Sequence, residues 1–297
     1  GRSRVSTTTT ASSMELFSRG SSLRTLLDAV MVLFGSRTTT TSMDQPTTEE
    51  EWHLLRVETK MDFEAMQASR VFGATERLFG HDAPELILWR DAAGWCPFCL
   101  SAQCLLEEMR VPYRVRTIPL SGYARPGETK DPEYLKMVPD GIVPGLQTKN
   151  EDGSWAPAFR NVYAIFREME KKYPDRYPVG KDAKVHAAIC GADGLAGALE
   201  RAPYRKTLSS ATPILKKIDA FIAASPQGGP FVNGDTISAA DLQLLPFLER
   251  IDAYASYFKR HEALETALPF LNRLRALMDA AKAHSPAFRD LSSDAHT

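Results

Sequence analysis

The chain has 297 residues, with 36 Lys plus Arg against 37 Asp plus Glu, so its formal net charge is −1. That balance gives no support for a nucleic-acid surface spread over the whole chain, and four cysteines are too few for a disulfide scaffold. No apolar run approaches the roughly 20 residues that span a bilayer; the longest, Ala29 to Phe34, is far shorter. With 43% hydrophobic residues the composition is ordinary for a globular protein, and the length suits about two domains. The expectation is a soluble, intracellular, two-domain protein.

Residues 1–48 differ from the rest of the chain. They hold Thr7–Thr10, Thr38–Thr41 and much serine, scattered arginines, and only Glu15, Asp28 and Asp44 as acids. Such a segment cannot bury enough apolar surface to fold alone. It reads as a transit peptide for a plastid or other organelle, or as a plain disordered tail. Residues 49–82 carry Trp52, Leu54, Leu55, Val57, Met61, Phe63 and Phe72, and read as an extension that clasps the next domain.

From residue 83 the pattern sharpens. Glu85–Asp91 reads as a strand. Ala102, Leu105, Leu106 and Met109 form an apolar stripe that makes Pro97–Arg110 a helix, and Tyr113–Ile118 alternates as a second, parallel strand. Asp131-Pro132 opens a short helix, Asp as cap and Pro in the first turn. Ile142–Gln147 is expected as a third strand, Asn150–Gly153 as a turn, Ser154–Pro157 as a short edge strand and Asn161–Lys172 as a helix. Residues 83–175 thus form a small β-α-β-α-β-β-α domain. Tyr173–Asp175 and Tyr177–Gly180 read as a linker. Beyond it, across 176–290, helices are expected at Lys184–Glu200, Pro203–Ala224, Ser238–Tyr254 and Leu264–Ala283.

Trp95-Cys96-Pro97-Phe98-Cys99 carries the strongest chemical signal. It falls where a strand ends and a helix begins, so the free N–H groups and partial positive charge of the helix N-terminus favour thiolate over thiol at Cys96. Pro97 loses no needed hydrogen bond there. Cys99 lies one turn on, on the same face, and can attack a mixed disulfide on Cys96 and release a reduced partner. Against this stand a structural zinc site, a structural disulfide and two thiols packed by chance. Zinc wants about four ligands, and Cys104 and Cys190 belong to no second paired motif, so no metal is expected. Cys104 and Cys190 read as core thiols.

Two further motifs stand out. Val143-Pro144, just ahead of a strand, fits either a trans proline at a strand edge or a cis peptide bond, and the thiol motif upstream favours cis; a cis turn would expose the Val143 N–H and C=O to an extended peptide. Ser238 with Asp241 three residues on is a capping box ahead of an apolar helix, a folding feature.

Cys-Pro-Phe-Cys, Val-Pro and the Ser-x-x-Asp box together resemble a glutathione S-transferase of the cysteine-type branch, which includes the omega, dehydroascorbate-reductase and lambda classes. Leu88–Asp91, Leu105–Glu108, Val111–Tyr113, Val138–Pro144 and Pro246–Ile251 look most like the iota-type members of photosynthetic organisms. The resemblance covers roughly residues 83–285. It implies a thioredoxin-like α/β domain followed by an all-α domain, with glutathione as co-substrate. It makes Cys96 the catalytic thiol that takes glutathione as a mixed disulfide, with Cys99 beside it. Val143, at the Val143-Pro144 turn, would hold the cysteinyl backbone of glutathione, and Lys130 its glycine carboxylate. Members usually place Glu-Ser at the start of the helix after the last strand, to hold the γ-glutamyl end. Here Asn161 and Val162 stand there instead. The implied function is thiol transfer or reduction on a small electrophilic or disulfide substrate, in chloroplast or cytoplasm, with a homodimer compatible. A ligand-binding or interaction protein that keeps the fold without activity, and a prostaglandin-synthase-like isomerase, are the alternatives.

Overall fold

Leu86–Asp91 (β2) is buried along its whole length, the mark of a central strand covered on both faces. It runs parallel to β3, Tyr113–Ile118, with Leu86 opposite Tyr113 and Asp91 opposite Ile118, and helix α1, Pro97–Met109, makes the crossover. On its other edge β2 pairs antiparallel with β4, Gly145–Thr148, which pairs with β5, Phe159–Arg160. A short strand β1, Glu76–Arg77, adds to the far edge against β3. The sheet order is therefore β1-β3-β2-β4-β5. The computed structural model describes residues 71, 73–92, 94, 96–119, 130–180, 182–202, 209–224, 228–259, 271–285, 288 and 289, with backbone alone for 253–259 and 271. The expected leader and most of the 49–82 extension, Trp52 to Phe63 and Phe72 included, lie outside them.

Helix α2, Pro132–Met137, starts as its sequence dictates, with Asp131 Oδ1 accepting from the Glu133 N–H at 2.7 Å. Helix α3, Val162–Lys172, closes the α/β half. The rest is helical: α4 Ala183–Ile189, α5 Leu195–Arg201, α6 Thr212–Ala224, α7 Ala239–Lys259 and α8 Leu271–His284. The molecule is thus a thioredoxin-like α/β half with a mixed sheet followed by a helical half, as expected. Among the described residues no helix is long and apolar enough to cross a membrane.

Several expectations need correction. The third strand begins at Gly145 rather than Ile142, because Pro144 has no N–H to give a ladder. The edge strand is Phe159–Arg160; Ser154–Pro157 contributes only a bridge between Trp155 and Lys149. Lys184–Glu200 is two helices, not one. Gly191 takes φ +89°, and its N–H leaves the helical ladder for the Gln243 side-chain oxygen at 2.9 Å. The last helix starts, among described residues, at Leu271, and α7 runs on to Lys259. The linker is held rather than free: the Pro178 carbonyl accepts the Ala239 N–H at 2.7 Å, and Tyr173 donates its hydroxyl to Glu85 at 2.8 Å.

The two halves meet where α1 packs on α7. Pro246 lies inside α7, so no N–H at that position can bond the Leu242 carbonyl one turn back. Ser101 of α1 donates its hydroxyl to that carbonyl at 2.8 Å. Phe98 and Phe247 meet edge to face at 5.2 Å beside it. At the opposite end of α1, Arg77 of β1 makes a bidentate pair with Glu107 at 2.8 and 2.9 Å, while Tyr113 donates to Glu107 at 2.7 Å. This pins β1 to the domain.

Candidate active site

Cys96 is the N-cap of α1, extended at φ −77° and ψ 111°, and its carbonyl accepts the Leu100 N–H at 3.0 Å. No side chain caps this end, so the first-turn N–H groups keep their positive pole near the Cys96 sulfur. The Cys96 residue is 8% exposed and Cys99 2%. Both are free thiols, as are Cys104 and Cys190. Burial pushes the Cys99 thiol well up, with the contact to Cys96 and then the Asp91 charge adding to it. Burial also raises Cys104, helped by Glu108, Glu249 and Glu107. Cys190, beside His186 at 3.5 Å, is pushed up to about 12 by burial, then by Asp241 and Glu170. Cys104 is a buried core thiol, as its position suggested, whereas Cys190 is only partly buried at the core's edge.

Across from Cys96 the Val143–Pro144 peptide is cis, as the sequence suggested. The Cys96 sulfur stands 3.8 Å from the Val143 carbonyl oxygen. The approach to that turn is held by groups the sequence did not single out. Tyr134 donates its hydroxyl to the Ile142 carbonyl and stacks on Trp89 at 4.9 Å. Its ring sits so close to the backbone that a Cβ on Gly145 would fall 2.8 Å from it, which is why glycine opens β4. Lys130 donates its ammonium to the Gly141 carbonyl at 2.6 Å, and among the described residues its other two N–H donors have no partner. Asp140 pairs with Arg160 at 2.7 Å. Ile142, at 48% exposed, leaves an apolar side chain open to solvent beside this turn.

Asn161 caps α3, its side-chain oxygen accepting the Tyr163 N–H at 2.8 Å, and takes φ +77° with ψ 125°, outside the left-handed region that asparagine tolerates. Val162 is buried in the core. The pair therefore presents a capped helix end and an apolar side chain where a Glu-Ser pair would present a charge and a hydroxyl. Of the aromatics that could line a second pocket, Phe98 packs on Phe247. Trp95 and Tyr123, and the side chains of Tyr254 and Tyr257, lie outside the described residues.

Beneath the sulfurs lies Asp91, the last residue of β2 and 0% exposed. A carboxylate oxygen of Asp91 and the sulfurs of Cys96 and Cys99 all fall within 4.8 Å of one another. Arg90, also buried, donates to the Asp91 carbonyl at 2.7 Å. Its guanidinium is lowered by burial and supported by the charges of Asp91 and Cys99. The sequence signal for this group is present in the strand: two adjacent charged residues close a run that is otherwise fully apolar. Strand ends often carry charge, so the pair does not stand out by residue type.

Comparison with known proteins agrees with this architecture. Residues 95–171 match the glutathione S-transferase N-terminal domain family and residues 193–287 the C-terminal domain family. The chain is 30% identical over 176 residues to "Probable glutathione S-transferase DHAR1, cytosolic" of Oryza sativa subsp. japonica, covering 57% of this chain and 73% of that one. It is 29% identical over 180 residues to "Glutathione S-transferase DHAR3, chloroplastic" of Arabidopsis thaliana, covering 60% of this chain but only 63% of that relative's length. The crystal structure of Chlamydomonas reinhardtii dehydroascorbate reductase superposes with a TM-score of 0.53 at 19% identity, over 71% of this chain and 93% of that one. A cysteine at the uncapped N-terminus of α1, a cis Val-Pro facing it, and matches to both domain families place this chain in the glutathione S-transferase family.

Proposed function

We propose that the chain is a glutathione-dependent thiol transferase or reductase in which Cys96 forms a mixed disulfide with glutathione. The observation that carries this reading is the 3.8 Å approach of the Cys96 sulfur to the Val143 carbonyl at the cis turn. An extended cysteinyl peptide that pairs with the Val143 backbone brings its own sulfur to Cys96. In that role Val143 and Pro144 hold the cysteinyl backbone of glutathione, Lys130 takes the glycine carboxylate, and Asn161 and Val162 meet the γ-glutamyl end. A sulfur that forms a disulfide with glutathione, rather than activating a bound glutathione thiolate, suits reduction or deglutathionylation of a small electrophilic or disulfide substrate better than conjugation. The iota-type class is the finer assignment, and it rests on Leu88–Asp91, Val138–Pro144 and Pro246–Ile251. Relatives named chloroplastic and cytosolic support either compartment, and a homodimer is compatible with the family.

A second reading is a ligand-binding or interaction protein that keeps the fold. The buried Val162 favours it, since the γ-glutamyl end loses a polar partner there.

Thiol-transferase assays on a glutathione mixed disulfide and on dehydroascorbate, with wild type and Cys96→Ser, separate the two. The first reading expects wild-type turnover that falls by at least ~10³-fold in Cys96→Ser. Equal rates in the two proteins would remove Cys96 from the reaction, and a folded wild type with no turnover on either substrate would favour the second reading.

A further inference from the structure

We propose that Tyr134 is the positioning residue that sets the Val143 backbone for pairing with a cysteinyl peptide, and so gives Cys96 a preference for peptide disulfides. The role rests on the reading that Cys96 takes glutathione as a mixed disulfide. Three carbonyls run in succession into the turn that faces Cys96. The Gly141 carbonyl accepts from the Lys130 ammonium at 2.6 Å, and the Ile142 carbonyl accepts from the Tyr134 hydroxyl. Val143, next in line, has neither its N–H nor its carbonyl in a backbone hydrogen bond among the described residues. The Cys96 sulfur stands 3.8 Å from that carbonyl. Two carbonyls are thus tied down, and the third is left facing the thiol.

The hydroxyl holds its carbonyl in one place because the ring has no room to move. Tyr134 is fully buried and stacks on Trp89 at 4.9 Å. Trp89 is held in turn, its indole N–H donating to the Gln147 side-chain oxygen at 2.8 Å. Arg116 lies over the Trp89 ring at 5.1 Å and pairs with Glu133, next to Tyr134, at 2.8 Å. Gly145 closes in as well: a Cβ there would fall 2.8 Å from both the Tyr134 ring and its hydroxyl. Burial first, then Cys99 and Asp140, raise that hydroxyl, so it stays a donor over the range in which thiols titrate. A phenylalanine would pack the same way and leave the Ile142 carbonyl without this donor, so packing alone does not account for the tyrosine. A peptide recognised by its backbone reads the position of the N–H and C=O it pairs with, and a hydrogen bond weakens steeply as its geometry departs from linear. Released at Ile142, the Val143 peptide gains room to turn. A disulfide without a peptide backbone makes no such pairing and does not sense the change. In the reaction the Cys96 thiolate attacks one sulfur of glutathione disulfide. The bond from Cys96 to that sulfur forms as the disulfide bond breaks, and the second glutathione leaves as its thiolate. Tyr134 takes no part in this exchange; it places the backbone that brings sulfur to sulfur.

The test compares glutathione disulfide with hydroxyethyl disulfide, which has no peptide backbone. Adduct formation on Cys96 is followed by intact mass in a Cys99→Ser background, so that the adduct stays in place. In Tyr134→Phe the second-order rate with glutathione disulfide should fall about tenfold, while the rate with hydroxyethyl disulfide stays nearly unchanged. Gly145→Ala, which drives a methyl group against the same hydroxyl, should give the same loss, and it decides the matter if Tyr134→Phe does not fold. Tyr113→Phe is the control. It also loses a buried hydroxyl's hydrogen bond, to Glu107 at 2.7 Å, but at the far end of α1, and it should keep the wild-type preference between the two disulfides. A folded Tyr134→Phe that keeps this preference would overturn the proposal. So would equal losses with both disulfides, or the same loss of preference in Tyr113→Phe. A wild type with no preference for glutathione disulfide would instead overturn the proposed function, and the Tyr134 role with it.

Discussion

Each half of the molecule holds a fully buried aspartate, and the two are compensated in different ways. Asp241, in the helical half, accepts the Val232 and Ser238 N–H groups, both at 2.9 Å, and the Ser238 hydroxyl at 2.6 Å. Its oxygens are saturated by the chain within ten residues of it. Asp91, in the α/β half, ends a buried strand beside two sulfurs and the Arg90 guanidinium. An ionised carboxylate taken out of water costs several kcal/mol unless its neighbours compensate. Compensation by backbone donors fixes a turn and a helix start. The Asp91 carboxylate instead lies within 4.8 Å of two thiol sulfurs.

The comparison breaks most visibly at Asp241. Asp241→Ala leaves two buried N–H groups and a hydroxyl without their acceptor, so urea unfolding should show a loss of ~3 kcal/mol. The alkylation rate of Cys96 in the folded protein should not change; if it does, the two halves are not separable in this sense. pH sharpens the point. Burial pushes the Asp241 carboxyl up to about 6 despite its hydrogen bonds, against an ordinary value near ~3.9. The folded state then binds more protons than the unfolded state between those values. The stability this carries is complete below the unfolded value and is lost as pH rises through about 6. The stability gap between wild type and Asp241→Asn should therefore be widest near pH 4 and narrow by ~1–3 kcal/mol by pH 7. A gap that widens over this range would show that the fold prefers the ionised carboxylate.

At the start of α3 the chain has used a helix end for folding that could have served a ligand. Asn161→Glu with Val162→Ser offers the ionised γ-glutamyl end of glutathione a charge and a hydroxyl. Calorimetry should show glutathione binding about tenfold tighter, and kcat/KM for glutathione should rise more than kcat. Tight wild-type binding left unchanged by the pair would place that end of the ligand elsewhere.

The smallest effect is expected at the joint between the halves. Ser101→Ala removes the donor that serves the Leu242 carbonyl, so thermal unfolding should report a loss of ~1–2 kcal/mol. If Pro246→Ala restores that carbonyl's bond within the helix, the two changes should couple in a double-mutant cycle. Strict additivity would mean that the hydroxyl and the proline act independently.

Local signals carried much of the fold. The apolar stripe of α1, the Asp131-Pro132 start and the parallel β2–β3 pair each follow from a few adjacent residues. Local signals mislead where a distant group decides. Nothing near Lys184–Glu200 says that Gln243, some fifty residues on, will take the Gly191 N–H and divide that helix. Serine and aspartate at Ser238 and Asp241 read as a capping box. The structure adds the Val232 N–H and has the Ser238 hydroxyl donate to the carboxylate rather than accept from the helix.

By itself the sequence determined that Cys96 opens a helix with Cys99 one turn on, that Val-Pro follows at a strand, and that Asn161-Val162 departs from the usual Glu-Ser pair. These depend on residue type and short spacing, through steric limits on proline and the free donors of a helix end. The tertiary structure alone decided what surrounds the sulfurs. Asp91 is five residues from Cys96 in sequence, yet its carboxylate meets the sulfurs only because the chain turns back after β2 and lowers α1 onto the strand end. Tyr134 and Lys130 reach the Val143 turn only through the packing of α2 on Trp89. Desolvation and charge coupling are properties of enclosed space, and that space does not exist until the strand, the helix and the turn have closed around the two thiols.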